Sequence, residues 1–281
     1  MALIITDDEM LRNFIPNVFS TIDDELPIYD KLLPYLNIAE SWLIQNITGQ
    51  DVLNKIASDP GDDRFMTVAM AVVSHAYALA VPSLDLVLTP NGFGIVSNKN
   101  VVPASKDRVE RLIRSLYELR SQCLIVLLNK LKSHSDWHSS HQCDMLAKSI
   151  LQDPNLVTIC NTSDHDEADI WTAFIALRHR AMPIECEIAN GWISPQLMAR
   201  LCRCEATATH SDGISWLISA IRGVVCARLT SGTMNTPLLD DIVSYIRSYP
   251  DLFPEWHQSA TAKLFSPTTF KNTKKSSGYF F

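Results

Sequence analysis

Apolar residues recur every three or four positions through most of this chain, which is the spacing of helices that bury one face. The pattern is plain from about Ile28 to Thr48, where Leu32, Leu36, Ala39, Leu43 and Ile47 share a side. Pro34 falls inside it and marks a start or a bend, and Gly49 ends it. Before this, Ala2 to Thr6 reads as a short strand running into a helix capped by Thr6 or Asp7, with Leu11, Phe14, Ile15 and Val18 at helical spacing. After it, Asp51 opens a short amphipathic helix bearing Leu53 and Ile56, and the composition of Ser58 to Asp63 is that of a loop. Phe65 to Val81 is apolar nearly all round, so it should run through the middle of a bundle, with Pro82 stopping it.

The texture then changes. Residues 84–97 alternate in character around Asn91-Gly92, a strong hairpin signal, and predict a β-hairpin projecting from the helical body. Helical spacing resumes from Ser105, a capping residue, through 106–132. Val109, Leu112, Ile113, Leu116, Leu119, Cys123, Val126 and Leu127 mark its inner side, and Arg108, Arg111, Arg114, Glu118 and Arg120 its outer side. Polar residues from Ser133 to His141 suggest an exposed boundary between halves. Asp164-His-Asp-Glu167 reads as the acidic start of the helix carrying Ile170, and apolar spacing returns over Ile214–Leu229 and Leu238–Tyr249.

The second half echoes the first at an offset of 145 residues: Tyr29 falls on Phe174, Leu32 on Leu177, Glu40 on Glu185, Leu43 on Ile188, Leu53 on Met198 and Ile56 on Leu201. Helical periodicity alone produces such matches, and the order of elements supports duplication more than the identities do. No hairpin equivalent is present, because only Thr230 to Pro237 joins the matching helices. The organisation expected is therefore mainly α: a helical bundle of residues 1–132 with its hairpin, a second helical domain of 133–265 that is either a degenerate repeat or unrelated, and an extended C-terminal arm, 266–281. The arm combines Lys271, Lys274 and Lys275 with Tyr279, Phe280 and Phe281, three aromatics that must be covered either by the chain's own body or by a neighbour.

Composition narrows the function classes. Only 9 glycines in 281 residues disfavour a Gly-rich cofactor fold or a many-turned β architecture, and a net charge of −7 disfavours a grip on nucleic acid through its phosphates. No apolar run approaches the length of a membrane span, Met1 to Asp8 is not a signal peptide, and seven irregularly spaced cysteines read as reduced, mostly buried thiols. His134, His138, His141 and Cys143, with Cys202, Cys204 and His210, are the best metal-ligand candidates. Their spacing is poor for zinc, and a solvated polar stretch explains the first four as well. His75 on an apolar helix reads as a core histidine. No nucleophile elbow, zinc-protease helix or phosphate loop occurs, and Asn91-Gly-Phe-Gly94 reads as a turn. No enzyme activity, cofactor or metal is expected; a helical metal-dependent hydrolase using the 134–143 cluster is the enzyme-class alternative.

The stretch Tyr29-Asp-Lys-Leu-Leu-Pro-Tyr-Leu-Asn-Ile-Ala-Glu-Ser-Trp-Leu-Ile-Gln-Asn-Ile-Thr-Gly49 resembles the opening of phage head–tail adaptor (neck) proteins, in which an acidic helix ends in a Thr-Gly signature before a loop and a second apolar helix. Pro82 to Ser97, the Pro-Ala-Ser-Lys run from 103 and the closing Ser-Gly-aromatic-aromatic are similar to an uncharacterised phage and prophage family of gut anaerobes. The likeness covers roughly residues 1–125 and the tail, in a chain about twice the usual adaptor length. It implies a virion protein, made in the host cytoplasm and assembled as a homo-oligomeric ring in the neck, between the portal protein and tail or neck proteins. DNA would pass through as cargo, and no membrane is involved. Leu86, Leu88, Phe93 and Ile95 of the hairpin and Tyr279, Phe280 and Phe281 of the arm are the expected interaction residues. The alternative is a soluble helical adaptor that regulates a host or phage partner outside the particle.

Overall fold

The structure is a computed structural model that describes residues 4–15, 27–84, 87–89, 92–94, 105–160 and 169–266. The described residues are mainly helical. In the first half, α1 (Asp8–Arg12) is capped by the Asp7 side chain, and Ile4 and Ile5 are buried without forming a strand. Helix α2 (Ile28–Leu43) accommodates Pro34 and runs into a single π turn, Ile44–Thr48, that ends at Gly49 with φ of 78°. Helices α3 (Gln50–Ser58) and α4 (Phe65–Leu84) follow. Pro82 does not stop α4 but sits in its last turn, where the lost amide bond frees one carbonyl and the helix ends two residues later. Val87–Thr89 and Gly92–Gly94 pair antiparallel, with Leu88 opposite Phe93. The projecting apolar face expected there depends on Leu86, Ile95 and the side chains of Leu88 and Phe93, which lie outside the described residues, as do Val18, Asp164–Glu167 and the arm with Tyr279, Phe280 and Phe281.

Helix α5 (Lys106–Ser133) packs on α4, which in turn packs on α2. Of its expected inner face Leu127 is buried and Val109, Ile113, Leu116 and Cys123 pack against the core, but the rest departs from expectation. Leu112, Leu119 and Val126 are exposed, whereas Leu124, Leu128, Leu131 and the charged Arg120 and Lys132 are buried. The reason is pairing rather than hydropathy: both cations meet carboxylates from the second half. Ser133 to His141 is likewise not an exposed linker. It forms α6 (Ser135–His138) and opens α7 (His141–Leu146), with Trp137 buried.

The second half comprises α8 (Leu156–Ile159), α9 (Ile170–Ile188), a second π turn (Ala189–Ile193), α10 (Pro195–Ala206), α11 (Asp212–Ser231), α12 (Thr236–Ser248), α13 (Pro254–His257) and α14 (Ala260–Leu264). One hydrophobic cluster runs through both halves. By length and composition α4 and α11 could each cross a membrane; within the body 72% of the apolar window of α4 is buried and 39% of that of α11, so core burial accounts for α4 in particular.

Local features recur between the halves. The second π turn lies 145 residues after the first, and each is closed by a residue with φ of 78°, Gly49 and Ser194. Buried Glu40 accepts the Ile4 amide at 2.8 Å, and buried Glu185 accepts the Ile150 amide at 3.2 Å. Trp137 Nε1 donates to the Ile47 carbonyl at 2.8 Å, and Trp256 Nε1 to the Trp192 carbonyl at 2.7 Å. Asp136 pairs with Lys55, and Glu255 with Arg200. Gln142 donates to the Gln45 carbonyl and Thr261 to that of Asn190, while Ser140 and Ser259 cap α7 and α14. The later partners, from Asp136 to Gln142, stand 119 residues from their counterparts instead of 145, because the connection from α11 to α12 is shorter than that from α4 to α5 and α12 is shorter than α5.

Candidate functional site

Where the halves meet, the first π turn, α7 and α9 enclose an open cavity of about 650 Å³. Its floor is built by side chains that the fold has already committed. The Gly49 amide closes the π turn on the Ile44 carbonyl at 3.0 Å, and side chains add to it: Trp137 donates to the Ile47 carbonyl, and Gln142 Nε2 to those of Ile44 and Gln45 at 3.0 and 3.3 Å. Trp171, Ile175, Leu128 and Leu146 complete an apolar lining, and Met145 and Met182 stand partly exposed at the mouth.

Arg178 is the polar centre of the cavity. Its Nη2 donates to the Met145 and Leu146 carbonyls at 2.9 and 2.7 Å, closing the C-terminal end of α7, and its guanidinium carbon lies 5.6 Å from the centroid of the Phe174 ring. The Nε is buried and has no hydrogen-bond partner among the described residues. Burial lowers the Arg178 pKa, with the Glu185 charge opposing it. Glu185 is itself raised by burial and spends its Oε1 on Ser149 Oγ, at 2.7 Å, and the Ile150 amide. Lys148, His141 and His179 line the opening, and among the described residues no acidic one lines it.

Two buried ion clusters hold α5 to the second half beside this cavity. Arg120 Nη2 meets Asp169 Oδ1 at 2.8 Å, while the same carboxylate caps α9 through the Trp171 amide at 3.0 Å. The Arg120 guanidinium lies 5.0 Å from Trp42 and 4.8 Å from Tyr117, and Trp42 packs edge-on against both His75 and Trp171. His75 is thus a core residue whose pKa is pushed down to about 4 by burial and then by Arg120. At the far end of α5, Lys132 reaches Glu205 at 3.4 Å, and Arg222 meets the same carboxylate at 2.9 Å. Burial draws Lys132 below the usual lysine range.

The metal-ligand candidates are dispersed. His134 faces Asp63 at 3.0 Å, His138 Nε2 meets the Lys132 carbonyl at 2.8 Å, His141 lines the cavity, and Cys143 is buried with its thiol pushed up. His210 meets Ser215, and burial holds the Cys202 thiol at about 12. Among the described residues no group of three His, Cys, Asp or Glu side chains is placed to hold a metal, and all seven cysteines are free. The interaction residues expected on the hairpin and the arm are the ones whose side chains lie outside the description. The cavity residues Trp137, Trp171 and Arg178 were not singled out from sequence, although a signal existed. Asp136-Trp-His-Ser-Ser140 and Glu255-Trp-His-Gln-Ser259 repeat one another and mark the two tryptophans that hold the π turns.

No curated protein and no solved structure matches the chain significantly. Residues 27–145, less than half of the chain, are similar to a family described as a family of unknown function (DUF6712), and that span runs from the start of α2 into α7.

Proposed function

We propose that this chain is a non-enzymatic structural protein of a tailed phage, a head–tail adaptor that forms a ring between portal and tail. The observation that carries the reading is the construction at the junction: buried ion pairs lock two like helical halves into one body, and the opening they leave is lined for contact. The recurrence of π turn, buried glutamate and indole-to-carbonyl bond at fixed spacings supports duplication of one helical unit, which accounts for the chain's length. The resemblance of 29–49 and 82–97 to phage proteins supplies the placement. In this reading Leu86, Leu88, Phe93 and Ile95 face a neighbour or the portal, Tyr279, Phe280 and Phe281 anchor an arm, and DNA passes through as cargo.

Peptide mass spectrometry on purified particles of a phage encoding the chain tests this. Recovery near the portal's copy number is the expected result, and absence from the particles overturns it. The second reading, a soluble helical adaptor for a host or phage partner, would then lead; the exposed methionines at the cavity mouth favour it.

A further inference from the structure

We propose that the cavity between the first π turn, α7 and α9 is a docking site for an acidic peptide segment of another protein, one that presents a bulky apolar side chain beside a carboxylate. The inference rests on reading the chain as a docking protein and does not depend on whether the chain enters a particle.

Three observations select that occupant. The floor, with Trp137, Trp171 and Ile175, is apolar and wide enough at about 650 Å³ for a large side chain. Arg178 stands among the lining residues with its Nη2 fixed on the Met145 and Leu146 carbonyls at the end of α7, so a positive charge is held in place before anything binds. A carboxylate is the group that a fixed positive charge of this kind favours. The rim then carries Lys148 and His179, with no acidic lining among the described residues, in a chain whose net charge is −7, so an anionic segment meets favourable charge here. Met145 and Met182 are 43% and 52% exposed at the mouth, which gives a peptide backbone apolar contact beyond the pocket that a small molecule inside it would leave uncovered.

The second half argues the same way by contrast. The groove at the second π turn is lined by Asn190, Thr261 and Leu264 with Glu255, and among the described residues no arginine or lysine lines it. The two grooves share a frame and differ in charge, so the cationic rim belongs to the first alone.

The test is selection of a random 12-residue peptide library displayed on phage against the full chain, followed by titration of the selected peptides. Enriched peptides should carry Asp or Glu next to Phe, Leu, Ile or Trp. They should change the Trp137 and Trp171 fluorescence and bind at least tenfold more weakly to a Lys148→Glu/His179→Glu variant. Both residues are exposed, so that variant should fold as the parent does, with an unchanged far-UV circular dichroism spectrum. Arg178→Lys keeps the positive charge and should weaken binding less than the double charge reversal. No enrichment, enrichment of basic or uncharged peptides, or affinity indifferent to these variants would overturn the proposal. So would self-association of the chain abolished by the same variants, which would put a second copy in the site, or a Kd for dodecanoate at least tenfold lower than that of the best peptide.

Discussion

The buried Arg64 offers the sharpest check on how this body is held together. Its side chain is 1% exposed and is gripped from two sides. Asp62 accepts Nε at 2.9 Å and Nη2 at 2.7 Å, and Asp136 of α6 accepts Nη1 at 2.9 Å and Nη2 at 3.0 Å. Asp136 also takes Lys55 Nζ at 2.9 Å. The Arg64 hydrogen bond holds the Asp62 pKa at about 2; burial pushes Asp136 up, but the bonds from Arg64 and Lys55 outweigh it and lower it further. Asp136→Asn removes one of the two carboxylates and turns an amide toward a donor. Breaking a buried pair costs about 3–5 kcal/mol, and the surviving Asp62 puts this case at the low end, about 3 kcal/mol. With an unfolding entropy of about 2.1 cal/mol/K per residue over 281 residues, the melting temperature should fall by about 5 °C. Urea denaturation followed by tryptophan fluorescence and far-UV circular dichroism measures the difference. Lys55→Ala, at a side chain 63% exposed, should cost less than about 0.5 kcal/mol. A loss below about 1 kcal/mol for Asp136→Asn would refute the argument. So would Arg64→Met and Asp136→Asn adding to within about 0.5 kcal/mol in the double variant, because partners in one network must couple.

Gly49→Ala should destabilise by about 1–3 kcal/mol by the same assay, since φ of 78° with ψ of 160° strains any L side chain and a Cβ there would stand 2.8 Å from Gln142 Oε1. Trp137→Phe and Trp256→Phe should each cost about 1–3 kcal/mol by stranding a π-turn carbonyl, measurable as a shift in the urea midpoint. For His75 the folded pKa of about 4 lies below the unfolded 6.5, so its contribution is complete above 6.5 and is lost as the pH falls towards 4, by about 3 kcal/mol in all. The buried Glu40 and Glu185 are raised and act in the opposite direction, so the readout is the difference between the parent and His75→Phe at pH 6.5 and 4.5; equal slopes would remove His75 as the cause. Truncation after Ser266 should leave the melting temperature unchanged while blocking assembly into particles, and a truncated chain that unfolds would show that the tail belongs to its own core.

Helix spacing made the existence and order of most elements legible, down to the stop at Gly49 and the apolar helix from Phe65, because a buried stripe leaves a periodic mark whatever it packs against. The offset of 145 residues was also visible, in Glu40 and Glu185 above all. What the spacing could not carry was any feature set by a partner distant in the chain. Arg120 belonged by pattern to the wet face of α5, yet it is buried because Asp169, 49 residues later, waits for it at the start of α9. Ser133 to His141 looked like a linker, since polar composition does not tell whether Asp136 and Trp137 will find Arg64 and the Ile47 carbonyl. The cavity has no mark along the chain, because its walls come from α5, a π turn, α7 and α9, and Arg178 is fixed only when the end of α7 is brought beside it. The helices could be read from the chain because they are local consequences of periodicity; which charges are buried and where a surface is left open could not, because both depend on groups brought together from far apart in the chain.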